Sequence, residues 1–372
     1  MHQEVDLESH GHGLDWGQTR TYANRVDVAA DEEPGWRVRE LKKLEFPNHS
    51  GSLPPTFVGM KDGSTTNEWF KLEDNSSPWP YVNEYYSFKT LTWKPEDHEF
   101  WYADKEGNVW VFADHAPVSG SAGRLLRVVD AAGRVCQLTH NGNLLSSFQQ
   151  GSGADAVRYE YEYYDDLLIS VTFKLGGVNV RRAVYSYYGS SDAGGNPGDL
   201  SQALIEQYDA ASMSWGAIRR SHYRYHIKAE PENNGCLWLI VGPAACEKML
   251  EAGLNPLTAT NTQVQAYADY AFEYEAVPNP ATWPVKYDFW VNQESLRGGQ
   301  EVYEFTYQHG GSGDPGTPSL RAVETRPDDS QVVTYFDSAG ELLSKVVKNS
   351  AGVAVQREIN QYSTAGDVAK VQ

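Results

Sequence analysis

Apolar and polar residues alternate along much of this chain, with a period of two. In RYEYEYYDDLLISVTF, Tyr159, Tyr161 and Tyr163 fall on one side and Glu160 and Glu162 on the other. Successive strand side chains point to opposite faces, so this pattern predicts a strand with one wet face. RRAVYSYY, HYRYHI, AFEYEA, KYDFWV and EVYEFTY repeat it. Residues 1–120 read as short strands among polar loops. TRTYANRVDV predicts a strand there, and the first clear hairpin is HEFWYADKEGNVWVFADH. Residues 121–235 and 271–372 carry longer, more aromatic strands joined by Gly- and Pro-rich loops such as GSSDAGGNPGD and QHGGSGDPGTP.

One stretch, 236–270, breaks the period. VGPAACEKMLEAG predicts a short helix with Pro243 in its first turn and Gly253 past its end. Thr260 and Gln263 then form a capping box that predicts a second helix running through QVQAYAD.

The strands are punctuated by a recurring turn: aspartate, two residues, glycine, one residue, then an apolar residue. Copies occur at Asp104 and Gly107, at Asp130 and Gly133, and at Asp337 and Gly340. A weaker copy has Ser363 in place of aspartate before Gly366. The aspartate accepts hydrogen bonds from its own turn, and the glycine enters the left-handed region. Val109, Val135, Leu342 and Val368 then open the return strands. A single hairpin cannot bury its apolar face, so neighbouring units have to stack.

Composition narrows the classes. The chain has 372 residues, 40% hydrophobic and 22% charged, which is globular rather than disordered. Its 23 Tyr and 11 Trp suit half-buried strand positions, where the ring packs and the polar tip meets water. A net charge of −19 argues against binding a phosphate backbone and fits solubility or a basic partner. Cys136, Cys236 and Cys246 are too few for a dense disulfide scaffold; they leave room for one bridge with an odd thiol left over, and read first as three scattered buried thiols. No run of about 18 apolar residues encodes a membrane span. MHQEVDLESHGHG has neither the basic head nor the apolar run of a signal peptide. The chain is thus expected to be cytosolic, exported without such a signal, or an internal piece of a longer protein.

Together the turns YADKEG, VVDAAGRV, YFDSAGEL and QYSTAGDV, with YEYYDDLL as a degenerate copy, resemble the Rhs/YD-repeat family, which includes bacterial shell proteins related to teneurin barrels. VDLESHGHGLDWGQTRTYANR followed by PGWRV resembles the segment that often precedes such repeats. Its motif residues here are Thr19, Arg20, Thr21, Tyr22, Gly35 and Trp36. The stretch from Cys236 through AYADYAFEYE resembles a helical insertion of large YD-repeat proteins. The resemblance implies a predominantly antiparallel, all-β fold: a curved ribbon or partial shell with a short helical insertion. It also implies surface display or secretion, and a wall that encloses or presents a C-terminal domain, often a toxin. The Asp-Pro, Gly-Leu and Asn-x-Tyr motif of self-cleaving members is not matched before Gln372, so self-cleavage does not carry over. The partner expected is the rest of a longer YD-repeat polypeptide or its enclosed domain.

Candidate chemistry is sparse. His10 and His12 lie at i and i+2 near Glu8 and Asp15, but a second ligand pair for zinc is missing. Cys136 with His140 is a lone pair, and His222 and His226 flank a Tyr-rich strand as packed or surface histidines. Glu160 and Glu162 share a strand face, and a glycosidase needs two carboxylates roughly 5 to 10 Å apart in a cleft. Nothing singles them out among 50 acidic residues. No nucleophile elbow or phosphate loop is present. The reading is a structural, non-catalytic segment needing no cofactor. The alternatives are a module that grips carbohydrate or a cell-surface protein through exposed Tyr and Trp, and, more distantly, a carboxylate glycosidase.

Overall fold

The computed structural model describes residues 2–9, 14–23, 35–47, 49, 53–61, 67–74, 79–83, 89–117, 121–227, 235–279, 286–310, 318–337, 341–362 and 368–371. The chain divides into two compact units, 1–221 and 222–372. Both are antiparallel β throughout, as the period-two alternation predicts, and the described residues hold two α-helices.

The first unit begins with a three-stranded sheet, β1 (His2–Glu8), β2 (Gly17–Ala23) and β3 (Gly35–Val38). A longer ladder runs from Lys43–Glu45 to Leu200–Asp209. Each strand in it is antiparallel to the next. In Val157–Tyr164, Val157, Tyr159 and Tyr161 are buried while Glu162 is exposed, as alternation requires. Phe70, Phe100, Phe112, Phe148 and Tyr159 have no exposed surface and form the aromatic centre of the core. Hairpins begin well before HEFWYADKEGNVWVF: β1 and β2 pair, and Phe57–Lys61 pairs with Asn67–Leu72. Their strands are short or charged, so the alternation there is too weak to read. The TRTYANRVDV strand is seen as far as Ala23, and its remainder lies outside the described residues.

In the second unit His222–Tyr225 pairs with Leu237–Val241, and the ladder continues through Tyr270–Asn279 to Val368–Val371. Between its second and third strands lie α1 (Pro243–Glu251) and α2 (Asn261–Gln265). Proline opens α1, and Gly253 follows it at φ +74°. The capping box at Thr260 and Gln263 is formed. Here α2 stops at Gln265 rather than running through Asp269. The Asp269 amide bonds the Ile240 carbonyl, and its carboxylate accepts the Gly242 N–H at 2.7 Å, so tertiary partners take this residue from the helix. Buried Arg224 fixes the insertion to the sheet. It donates to Asn261 and to the carbonyls of Pro256 (2.9 Å) and Ala259 (2.5 Å). Met249, Cys246 and Val264 pack with Leu239, Val241 and Ala271 beneath the helices.

Candidate functional site

The turns share one hydrogen-bond circuit. The Asp104 carboxylate accepts the Asn108 N–H at 2.8 Å and the Trp110 indole at 3.0 Å, and the Gly107 amide bonds back to the Asp104 carbonyl. Asp130 accepts from the amides of Ala132 (3.0 Å) and Arg134 (2.9 Å) and from the Arg134 guanidinium (2.7 Å). Burial pushes the Asp130 carboxyl up, but these donors outweigh it and hold the group below its usual range. Asp337 accepts the Glu341 N–H at 2.9 Å. Gly340, Ser363 and Gly366 lie outside the described residues. Val109, Val135, Leu342 and Val368 each begin a strand.

Two further copies escaped the sequence reading. Asn349 accepts from the amides of Ala351 and Val353, and Gly352 follows at φ +77°. The amide oxygen of asparagine does the work of a carboxylate oxygen, so N-x-x-G was the missing signal. At Arg326–Ser330 the same backbone circuit closes with Asp329 in the left-handed position, φ +62°. The first two tips also meet: the Asn108 side chain accepts the Ala131 N–H at 3.2 Å.

Gly107 and Gly133 sit at φ +85° and +80°. A Cβ on Gly133 would meet nothing within 4 Å, so Gly133→Ala should cost about 1 kcal/mol of backbone strain. Gly123, at φ +72°, is different: its Cβ would stand 1.9 Å from the Leu44 carbonyl oxygen. Gly123→Ala should therefore lose at least about 2 kcal/mol, because strain adds to a backbone clash. Equal urea midpoints for the two variants would show that the Leu44 approach is not the constraint.

The opening motif is assembled around a buried charge. Across β2 and β3, Tyr22 lies opposite Trp36 and Ala23 opposite Gly35, with the Tyr22 and Trp36 rings 5.5 Å apart. The Arg20 guanidinium lies 4.6 Å from the Trp36 ring centre and 5.4 Å from that of Tyr185. It donates to both Asp6 oxygens, at 2.5 and 3.0 Å, and to Glu4 at 3.0 Å. The Tyr185 hydroxyl donates to Asp6 at 2.7 Å, tying the small sheet to the ladder. Trp16 makes the second tie. Its ring stacks on Phe148 at 4.0 Å and 6°, and its indole donates to the Tyr161 hydroxyl at 2.9 Å. Its carbonyl accepts from Tyr159 at 2.9 Å. Tyr159 was read only as part of a strand face, and Asp6, Trp16 and Tyr185 were not singled out, since their partners lie far along the chain.

A histidine cluster was also missed. His98 Nδ1 lies 3.3 Å from buried Asp114, to which the Trp93 indole donates at 3.5 Å. The rings of His49 and His115 meet edge to face at 4.5 Å. Trp79, packed 5.7 Å from Trp93, and His98 both hold positive φ, 56° and 57°. Burial pulls the His115 pKa down, Asp114 opposes this, and His49 and His98 reinforce it. His140 is pulled to about 4, by burial first and then by Arg124. Both groups resist protonation more when folded than when unfolded, where they gain a proton below about 6.5. The stability they contribute is full above that pH and falls as pH drops, for His140 down to about 4. The urea midpoint should thus be lower at pH 5 than at pH 7.5, and the difference should shrink in His115→Gln and His140→Gln.

Other candidates are occupied structurally. Glu160 pairs with Arg158 at 3.0 Å and Lys174 at 2.6 Å, while Glu162 accepts from Ser170 at 2.7 Å. Burial pushes the Cys136 thiol to about 11, with the Asp130 charge adding to it, and all three cysteines are buried and unbridged. His222 is buried, and His226 bonds the Phe272 carbonyl beside Trp238. His10 and His12 lie outside the described residues. Among the described residues no group of three or more His, Cys, Asp or Glu is placed to hold a metal ion. No described helix is long and apolar enough to cross a membrane.

No protein-family profile matches the chain, and no curated protein matches its sequence. Solved structures similar to it include the N-terminal domain of the effector SpvB from Salmonella typhimurium strain LT2, at 11% identity and TM-score 0.32. That match covers 63% of this chain and 96% of the domain. A porin-like protein from Bacteroides uniformis ATCC 8492 matches at 10% identity and TM-score 0.25, over 83% of this chain and 96% of that one. TcdB2-TccC3 matches at 9% identity and TM-score 0.25, over 95% of this chain, which spans 24% of that one. Likeness at this level leaves the functional reading to the chain's own residues.

Proposed function

We propose that this chain is a non-catalytic scaffold of the YD-repeat kind, part of a longer surface or secreted polypeptide whose hairpins enclose or present another domain. The observation that carries it is the turn circuit, repeated at Asp104, Asp130, Asp337 and Asn349, the first two turns being joined by the Ala131 N–H donating to the Asn108 side chain. Stacked hairpins of this kind build a wall, because each supplies the apolar face its neighbour needs. The carboxylates support the reading: Asp6, Glu99, Asp130 and Glu160 are held by Arg or Lys, and Asp114 by Trp93 and His98.

The test is the intact mass of the native polypeptide, captured from producing cells with an antibody against this chain. A mass well above 41.5 kDa, with this chain resistant to protease in the captured protein, is expected. A self-contained polypeptide near 41.5 kDa would overturn the proposal.

A further inference from the structure

We propose that a cleft between two hairpin tips of the first unit binds a basic, partly apolar peptide segment of a protein partner, seating an Arg or Lys side chain. The cleft has a volume of about 600 Å³. The tips are Asn141–Leu144, between Val135–Asn141 and Leu144–Gln150, and Tyr164–Leu167, between Val157–Tyr164 and Leu167–Leu175. They lie at the same end of the sheet because every second antiparallel turn returns to the same edge. The strands Leu144–Gln150 and Val157–Tyr164 pair directly, with Ser147 opposite Glu160, so the tips are neighbours.

Two chemistries line this space. Leu144, Leu145 and Ile169 supply apolar surface, and Glu162, Asp165 and Asp166 supply three carboxylates. The Tyr163 ring adds a π-face, and burial, then Tyr187, pushes its hydroxyl to about 12, so it stays a neutral donor. Among the described residues no Lys or Arg lines the cleft. Arg124, beside the first tip, donates to the Gly142 carbonyl at 2.8 Å. A guanidinium or ammonium on an alkyl stem matches this set: the stem lies on leucine and isoleucine, and the charge meets the carboxylates and the tyrosine ring. The net charge of −19 draws such a partner in from a distance. The inference does not depend on the scaffold reading, since it concerns a surface and not what the wall encloses.

The turn chemistry provides a clean test. Asp165 and Asp166 both hold positive φ, 46° and 64°. Asparagine accepts the left-handed region at least as readily as aspartate, so Asp165→Asn with Asp166→Asn removes two charges and keeps the hairpin. The probe is a fluorescein-labelled peptide of alternating arginine and leucine, followed by anisotropy at pH 7. Wild type should bind it, and the double variant should weaken binding by about tenfold at an unchanged melting temperature. Glu96→Gln with Asp97→Asn, an exposed pair outside the cleft, should leave binding unchanged. No binding to wild type overturns the proposal. So does an equal loss in both double variants, which would mean attraction to the acidic surface at large.

Discussion

Trp16→Ala should be among the most damaging single substitutions in the first unit, lowering stability by about 4 kcal/mol. The indole is 1% exposed and lies flat on Phe148, so truncation opens a ring-sized cavity between rigid aromatic neighbours. It also removes the donor to the buried Tyr161 hydroxyl. Trp16→Phe separates the two effects. It keeps most of the stack and loses the hydrogen bond, for about 1 to 2 kcal/mol. Urea unfolding followed by circular dichroism distinguishes them. If alanine costs no more than phenylalanine, the site collapses around the gap and Trp16 is not a packing anchor.

Arg20→Met is the second large effect, at about 3 kcal/mol or more, because it leaves Asp6 buried without its bidentate cation. The loss is the penalty of a buried charge left with the Tyr185 hydroxyl and the more distant Arg219 guanidinium, 3.8 Å away, rather than the net worth of the ion pair. Adding Asp6→Leu should therefore restore much of the stability, since an apolar pair of similar volume avoids desolvation altogether. Lysine should not rescue Arg20, because a point charge cannot donate to both Asp6 oxygens while lying between the Trp36 and Tyr185 rings. A double variant as unstable as Arg20→Met alone would show that the guanidinium acts by packing between those rings.

Both substitutions act on the join between β1–β3 and the ladder, and that join was half legible. Arg20, Tyr22, Gly35 and Trp36 stood out as a motif, and the structure places Arg20, Tyr22 and Trp36 in one cluster. Their partners Asp6 and Tyr185 did not stand out. HQEVDLE looks like charged surface, and neither Asp6 nor Tyr185 announces that it faces the other across 179 residues.

Most interactions that span three to five residues were readable, the turns at Asn349 and Arg326 excepted, because backbone geometry alone brings their partners together. The antiparallel strands follow from alternation, α1 from its proline and glycine, the start of α2 from Thr260 and Gln263, and the turn circuits from aspartate and glycine spacing. Tertiary structure decided the rest. It ended α2 at Gln265 by drawing Asp269 to Gly242. It also gave two glycines of similar backbone angle different weights: Gly133 faces open space, while Gly123 touches the Leu44 carbonyl. A positive φ is a local requirement that residue types betray. The neighbour a Cβ would strike, like the counter-charge that makes Asp6 tolerable in the core, is set by which distant strands pack together, and no local pattern encodes that.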